Sequence, residues 1–307
     1  MAEKFKGEAL PQTVPPRTAP LAGLRAKVRL TLEMIKFEHS VFALPFALTG
    51  ALLAARGWPA WRQLFWIIAA MVGARSAAMT FNRIADLKLD ALNPRTRVRP
   101  LPAGQLSVPF AAAFTLASCA LLALAAYELN PLAFMLSPVA IAILLLYSYT
   151  KRFTLLSHLV LGFCLGMSPM AAWIALRGDL SVSVLLLGIA VTFWVAGFDI
   201  IYACQDVEFD HALGLHSIPR RYGVRAALVA SAALHVVMLA LLVAVARMEN
   251  LGGMAFLGLA VVAALLAYEH ALVKPSDLSR INAAFFTVNG YISVLFFATW
   301  AADLLSH

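Results

Sequence analysis

Two long stretches without a charged residue constrain this sequence more than any other feature. Residues 108–127 and 131–149 contain only apolar and uncharged side chains, and each stretch is long enough to cross a bilayer as a helix. Lipid offers the backbone no hydrogen-bonding partner, so such stretches form helices rather than open strands. Charged residues make up 13% of the chain, about half the share typical of soluble domains. The sequence therefore predicts an all-α integral membrane protein.

The apolar stretches between charged or Gly- and Pro-rich breaks predict nine transmembrane helices. We place them at 41–56, 64–86, 107–127, 131–149, 154–176, 181–205, 225–246, 251–272 and 282–304. Only residues 150–153 separate the fourth helix from the fifth, so a single merged helix is an alternative there.

The N-terminal region differs from the rest of the chain. Residues 1–23 are polar and Pro-rich, which is typical of a disordered tail, and residues 24–307 are predicted to form the membrane domain. Residues 24–39 mix basic and apolar side chains. This pattern predicts an amphipathic helix on the anionic cytoplasmic surface.

Lys and Arg residues are distributed unevenly between alternate loops. With a cytoplasmic N-terminus, the loops on the far side contain only Arg56, Arg62, Arg177 and Arg247 of the 24 basic residues. Positive charge in short loops marks the cytoplasmic side. We therefore predict a bacterial inner-membrane protein with its N-terminus in the cytoplasm and its C-terminus outside. The net charge of +8 is explained by this orientation, and we expect no nucleic-acid partner.

Acidic side chains concentrate at the predicted ends of the second and sixth helices. Asn82, Asp86 and Asp90 are spaced four residues apart, so on a helix they form one stripe. Charged groups at membrane depth are costly and persist mainly where they face a polar cavity or an ion. A polar network between helices without a ligand is the alternative interpretation.

The second acidic stripe repeats the first. Asp199, Tyr202, Asp206 and Asp210 follow one another at helical spacing. Asp206 and Asp210 come 120 residues after Asp86 and Asp90, and a loop with prolines and arginines follows each pair. Two related halves would place both stripes around one cavity.

The charges near the stripes indicate a ligand. Carboxylate oxygens suit a hard cation, and Mg²⁺ usually takes one or two carboxylates together with substrate phosphates. Arg95, Arg97 and Arg99 follow the first stripe, and Arg220 and Arg221 follow the second. Guanidinium groups bind phosphate oxygens in pairs. For any single arginine, the orientation bias alone is an equal explanation. Together the residues predict a diphosphate site at the cytoplasmic mouth.

The acidic segments NRIADLKLD (82–90) and DIIYACQDVEFD (199–210) resemble the paired motifs of the UbiA family of membrane prenyltransferases. Further similar segments are KFEHSVFALPFAL (36–48), NPRTRVRPLPAG (93–104), YSYTKRFT (147–154) and GLHSIPRRYG (214–223). Many members have Asp directly after the first motif's Asn, where this chain has Arg83. This difference would reduce the number of metal ligands at the first motif.

The resemblance implies a bundle of nine transmembrane helices around a central cavity, built from two pseudo-repeated halves. It implies Mg²⁺ as the cofactor, held with the diphosphate by Asn82, Asp86, Asp90, Asp199, Asp206 and Asp210. The residues expected to contact substrate are Asn82, Arg83, Arg95, Arg97, Arg99, Lys151, Arg152, Tyr202 and His39. The expected catalytic residues are Tyr147 and Lys151, beside the breaking bond, and Asp199, as the base for the ring proton.

The predicted reaction transfers a polyprenyl group from its diphosphate to a small aromatic acid in quinone biosynthesis. 4-Hydroxybenzoate, in the ubiquinone route, and 1,4-dihydroxy-6-naphthoate, in a menaquinone route, both remain open as the acceptor. The alternative class is an ion-coupled secondary transporter, since paired acids in a repeated bundle also suit ion coupling. The acids here lie at helix ends beside basic loops, which favours the enzyme.

Overall fold

The computed structural model describes residues 23–35 and 40–306, and in this part of the chain every regular element is helical. The helices are α1 Leu24–Met34, α2 Ser40–Ala55, α3 Trp61–Ala85, α4 Leu87–Leu92, α5 Val108–Leu129, α6 Pro131–Thr150, α7 Ser157–Arg177, α8 Val182–Ala203, α9 Val207–Leu213, α10 Ile218–Met248, α11 Gly253–Leu272 and α12 Asn289–Leu305. A 3₁₀ turn at Cys204–Asp206 joins α8 to α9, and a π-helical turn at Ala283–Val288 precedes α12. The prediction of an all-α fold is confirmed.

Eight helices within the described residues are long and apolar enough to cross a membrane. The predicted first span corresponds to α2, whose apolar part is the shorter helix Phe42–Ala55. The chain is thus a multi-span membrane protein. Its described residues contain nine apolar helices where nine were predicted, and eight of these have full spanning length. The merged alternative is wrong, because α6 and α7 are separate helices.

Several helices begin where their sequence supplies a cap. Ser107, Asn130, Ser181 and Ser217 each accept a hydrogen bond from the backbone N–H three residues later, at the starts of α5, α6, α8 and α10. Such caps satisfy one of the backbone donors that a helix leaves free at its start. The seventh predicted span begins earlier than expected, because α10 includes residues 218–222 before a kink at Gly223, where φ is 81°.

The centre of the bundle is α8, which packs between α7 and α10. Small residues bring α7 and α8 together: a Cβ added to Gly166 would lie 2.3 Å from the Gly188 carbonyl oxygen. On the other side, the His235 ring of α10 lies directly over Gly197. Close backbone approach at small residues is typical of membrane helix packing. The packing of α8 against α7 and α10 therefore fixes the position of the second acidic motif, which begins at Asp199.

The N-terminal helix α1 has two different faces. Met34 and Ile35, at its end, are buried against Leu101 and the start of α5. Arg25 and Arg29 are exposed, as is Val28 between them. This distribution agrees with the predicted amphipathic helix, whose last residues, 36–39, lie outside the described part of the chain, as do residues 1–22 of the predicted tail.

Candidate active site

Both acidic motifs contain the same break in the helix. Asp86 lies between α3 and α4 with φ −93° and ψ 7°, and Asp206 lies before α9 with φ −104° and ψ 8°. In the first motif the backbone N–H of Asp90 still bonds the Asp86 carbonyl at 2.7 Å. The spacing of the stripes suggested uninterrupted α-helices, whereas each stripe contains a break in the structure. The matching backbone geometry at corresponding residues supports two repeated halves.

Asp86 is buried and paired with cations from another segment. Its Oδ2 lies 2.6 Å from the Lys151 Nζ, and its Oδ1 lies 3.3 Å from the guanidinium of Arg152. The Asn82 amide donates to Oδ2 at 3.4 Å. Lys151 and Arg152 directly follow α6, so the end of this helix supplies the positive charge. Tyr147 lies one turn earlier on the same helix.

Asp90 is held between two arginines. Arg99 Nη1 bonds both carboxylate oxygens, at 2.8 and 2.9 Å, and Arg83 Nη1 lies 3.5 Å away. Both Asp90 and Arg83 are buried. The residue that departs from the usual family motif is therefore a partner of the first motif's last aspartate.

Arg95 connects the first motif's loop to the second motif. Its guanidinium bonds Asp206 Oδ2 at 2.5 Å and the Tyr202 hydroxyl at 2.9 Å. The loop turns at Asn93, whose Oδ1 accepts a hydrogen bond from the Arg95 N–H at 2.9 Å. Such Asx turns are a local property of the Asn-Pro sequence. Because of this turn, a side chain from one half of the protein reaches the carboxylate of the other.

The charge on Arg95 is secured by its surroundings. Burial alone would lower the pKa of its guanidinium, but the Asp206 carboxylate and the Tyr202 hydroxyl outweigh this effect and raise the pKa above its usual value. The side chain is 35% exposed. A permanent positive charge at the solvent-facing edge of the site suits an anionic ligand.

The remaining acids of the second motif have neutral or imidazole partners. Ser217 Oγ, the cap of α10, donates to Asp210 Oδ2 at 2.7 Å. Asp199 Oδ2 lies 2.7 Å from Nδ1 of His158 on α7. The backbone N–H of His216 bonds the Lys151 carbonyl at 2.7 Å. The loop after the second motif therefore contacts the segment that neutralises Asp86.

The donor set fits a hard cation bound together with phosphate. All the acidic groups offer oxygen atoms, which Mg²⁺ prefers. Within residues 23–35 and 40–306, no group of three or more His, Cys, Asp or Glu side chains is arranged to hold a metal by itself. Mg²⁺ usually needs only one or two carboxylates, because water and substrate phosphates complete its coordination. These aspartates, beside five basic side chains, meet that requirement.

Two of the candidate phosphate-binding arginines form no ion pair with these aspartates in the described part of the chain. Arg97 is exposed, and within the described residues its side chain has no ion pair. Arg220 donates to the Leu215 carbonyl, which stabilises the loop after the second motif. His39 lies outside the described residues. These assignments stay predictions, as do the roles of the residues that do converge.

His158 is the site residue that the sequence did not single out. It is buried and contacts Asp199 across two helices, a relation that helical spacing cannot show. The sequence feature that could have indicated His158 is its position in the first turn of α7, six residues after Arg152. Histidines at helix ends near acidic motifs therefore merit the same attention as the acids.

Comparisons with known proteins agree with this geometry. The chain matches the model described as the UbiA prenyltransferase family over residues 43–298. A curated relative named 4-hydroxybenzoate octaprenyltransferase, from Methylobacillus flagellatus, is 32% identical over 283 residues, which cover 91% of this chain and 95% of the relative. The match to the family model includes both acidic motifs and all the helices from α3 to α11.

Solved structures share the architecture. A UbiA homolog from Aeropyrum pernix K1 aligns with a TM-score of 0.79 and 39% sequence identity, covering 87% of this chain and 98% of that chain. A UbiA homolog from Archaeoglobus fulgidus bound to DMAPP and Mg²⁺ aligns with a TM-score of 0.68 and 22% identity, covering 89% and 98%. The second likeness concerns the fold alone.

Proposed function

Because the chain belongs to the UbiA prenyltransferase family, we propose that it transfers a polyprenyl group from its diphosphate to a small aromatic acid, with Mg²⁺ as cofactor. The family membership favours this enzyme over the ion-coupled transporter. The relative from Methylobacillus flagellatus, named for 4-hydroxybenzoate, supports an aromatic acceptor. The Archaeoglobus fulgidus structure with Mg²⁺ supports the cofactor.

The observation that carries the proposal is the Arg95 contact between the two motifs. Arg95 follows the first motif and bonds Asp206 in the second. Lys151, whose carbonyl bonds the loop after the second motif, pairs with Asp86 in the first. Acids and cations from both halves thus lie together at one end of the bundle. A diphosphate site requires both, because carboxylates bind Mg²⁺ and cations bind phosphate oxygens.

These residues suit the departure of a diphosphate. A bound Mg²⁺ supplies electrostatic stabilisation of the negative charge that develops on the leaving group. The free oxygens of the diphosphate would be bound by Lys151, Arg152 and Arg95. Each of these cations pairs with an aspartate of the motifs and therefore lies in the site. Asn82 holds the Asp86 carboxylate in position. Preorganised charges of this kind need no rearrangement during reaction.

The acceptor ring must lose a proton after its new bond forms. We assign Asp199 as the proton acceptor, with His158 at 2.7 Å to orient its carboxylate. Tyr147 lies on α6 one turn before Lys151, which pairs with Asp86, so we assign it a position between ring and diphosphate. The acceptor is 4-hydroxybenzoate or 1,4-dihydroxy-6-naphthoate, on the route to a quinone.

We place the protein in the bacterial inner membrane with this site open to the cytoplasm. The site lies at the C-terminal ends of α3, α6 and α8, beside loops rich in Lys and Arg. Positive loops mark the cytoplasmic side, and prenyl diphosphates with polar heads would enter from there. The N-terminus is then cytoplasmic and the C-terminus external.

Purified protein in lipid nanodiscs tests the proposal. Radiolabelled geranyl diphosphate is incubated with each of the two acceptors, with Mg²⁺ or with EDTA. We expect a prenylated acid and released pyrophosphate only with Mg²⁺. The natural acceptor is identified as the one that is prenylated at the higher rate. Lack of prenylated product from either acid, with Mg²⁺ present, would reject the proposed reaction. Asp206→Asn protein is the matched inactive control.

A further inference from the structure

The turn before α12 has unusual geometry at a place that faces the site. Residues Ala283–Val288 form a π-helical turn, whereas most helices contain none. Such turns cost helical hydrogen-bond geometry, and they frequently occur at functional sites. This one contains Phe285 and Phe286, which lie against Tyr202 of the second motif.

Asn289 fastens this turn to the bundle core. Its Oδ1 accepts from the indole Nε1 of Trp194 at 2.7 Å, and its Nδ2 donates to the Ala284 carbonyl at 3.1 Å and to Glu269 Oε1 at 2.8 Å. An indole N–H can only donate and a backbone carbonyl can only accept. The orientation of the amide is therefore fixed, and both of its N–H donors are used.

Glu269 completes the network in the protein interior. Glu269 and Asn289 are both 0% exposed. Glu269 Oε2 has no hydrogen-bond partner among the described residues. Burying this unpaired oxygen costs free energy of folding, and the carboxyl group is present nevertheless. Ionisable residues inside membrane helices are expensive and usually serve function. The described active site does not use this carboxyl group directly.

A continuous set of contacts leads from Asn289 to the second motif. The Phe285 ring lies 4.1 Å from the Tyr202 ring, measured between centroids. The Tyr202 hydroxyl accepts from Arg95 at 2.9 Å, and Arg95 bonds Asp206 at 2.5 Å. Phe285 also contacts Phe198, the residue before Asp199.

From these contacts we infer that Asn289, supported by Glu269 and Trp194, is a positioning residue. It holds the π-helical turn so that Phe285 fixes Tyr202, and through Tyr202 it sets the position of Arg95 for the diphosphate. This inference rests on the proposed function, because it assigns Arg95 to diphosphate binding. Asn289 itself touches no reacting group.

A purely structural role predicts a different outcome. If Asn289 only stabilised the core, its replacement would lower stability and leave the affinity of the folded protein for diphosphate unchanged. A matched control is Asn130, whose Nδ2 donates to the Ile174 and Ala175 carbonyls at 2.7 and 3.0 Å. It links α6 to α7 at the opposite end of the bundle, away from Arg95.

The experiment measures two properties of Asn289→Leu and Asn130→Leu in nanodiscs. The first is the Kd of inorganic pyrophosphate with Mg²⁺, and the second is kcat/KM for geranyl diphosphate. Small displacements of positioning groups can cost about 100-fold in rate, so we expect Asn289→Leu to lose about 10- to 100-fold in kcat/KM, with a weaker Kd. Asn130→Leu is expected to melt earlier, with a Kd within about twofold of the wild type, as for changes away from a site.

Two further variants keep the test decisive if Asn289→Leu does not fold. Glu269→Gln preserves an acceptor for Asn289, so we expect nearly wild-type binding. Phe285→Leu removes the ring over Tyr202 but keeps the network, so we expect the same weaker Kd as for Asn289→Leu. Wild-type Kd and kcat/KM in folded Phe285→Leu would overturn the inference.

The binding measurement also separates this inference from the proposed function. If the wild-type protein binds pyrophosphate with Mg²⁺ but transfers no prenyl group, the proposed reaction is wrong. The Kd values of the variants would still decide whether Asn289 positions the diphosphate site.

Discussion

Replacing Asp86 by Asn separates its role in catalysis from its role in stability. Asparagine keeps the size of the side chain and removes the charge that faces Lys151 and Arg152. We expect the Asp86→Asn protein to fold almost normally and to transfer hardly any prenyl groups. A residue that only completes a polar network would show the reverse.

The structure sets the size of both effects. The side chain of Asp86 is 4% exposed, but those of Lys151 and Arg152 are 37% and 38% exposed, so water screens both ion pairs. Exposed pairs contribute about 0.2–1 kcal/mol each, which gives a loss of about 0.5–2 kcal/mol in all. Loss of a residue that merely orients a metal ligand costs about 10- to 100-fold. For a direct ligand we expect a loss in kcat/KM of at least about 100-fold.

The assay combines thermal unfolding with prenyl transfer in nanodiscs. The control is Glu128→Gln, because Glu128 pairs with Arg62 at 2.7 Å outside the site. We expect similar small changes in melting temperature for the two variants and an activity loss only for Asp86→Asn. Wild-type turnover in folded Asp86→Asn would refute the reasoning, as would equal activity losses in both variants.

Three other changes test separate parts of the structure. Arg95→Ala should raise KM for geranyl diphosphate about tenfold, the effect of one lost charged hydrogen bond, and exposed Arg97→Ala should raise it less; steady-state kinetics would show equal effects if the Asp206 contact were irrelevant. Lys151→Ala should lower kcat strongly and the melting temperature only slightly, since the Lys151 side chain is 37% exposed; an unchanged kcat would reject its role. Gly197→Ala should destabilise the protein by about 1–3 kcal/mol, because the new methyl group would lie 2.3 Å from an imidazole nitrogen of α10; Gly253→Ala, with open space around it, is the control, and equal melting temperatures would contradict this packing.

The sequence predicted the features that depend on the cost of burying charge. Asp86 and Asp206 could be identified because carboxylates near membrane depth require compensation. Their common interval of 120 residues predicted repeated halves, and the similar backbone angles at the two residues agree with this. Helix positions followed from uncharged length alone.

Contacts between distant segments could not be predicted in the same way. The His158–Asp199 pair and the Trp194–Asn289 hydrogen bond join residues on different helices, and one sequence contains no signal for such pairs. The π-helical turn at Ala283–Val288 also has no distinct sequence pattern. Asn289 contacts this turn at the Ala284 carbonyl and bonds Trp194 and Glu269 on other helices.

The accuracy of the predicted helix boundaries was limited for a physical reason. Hydropathy measures which residues lipid tolerates, whereas caps and kinks determine where the helix ends. Capped by Ser217, α10 begins at Ile218, seven residues before the predicted span, and the kink at Gly223 does not change the hydropathy pattern.

The central claim is that two acidic motifs form one diphosphate site, and a double-mutant cycle in pyrophosphate affinity tests it most directly. The Kd with Mg²⁺ is measured for the wild type, Asp86→Asn, Asp206→Asn and the double variant. Residues that act as a unit give non-additive effects, so we expect the double variant to bind hardly more weakly than either single one. Independent effects that multiply in the double variant would contradict a shared site.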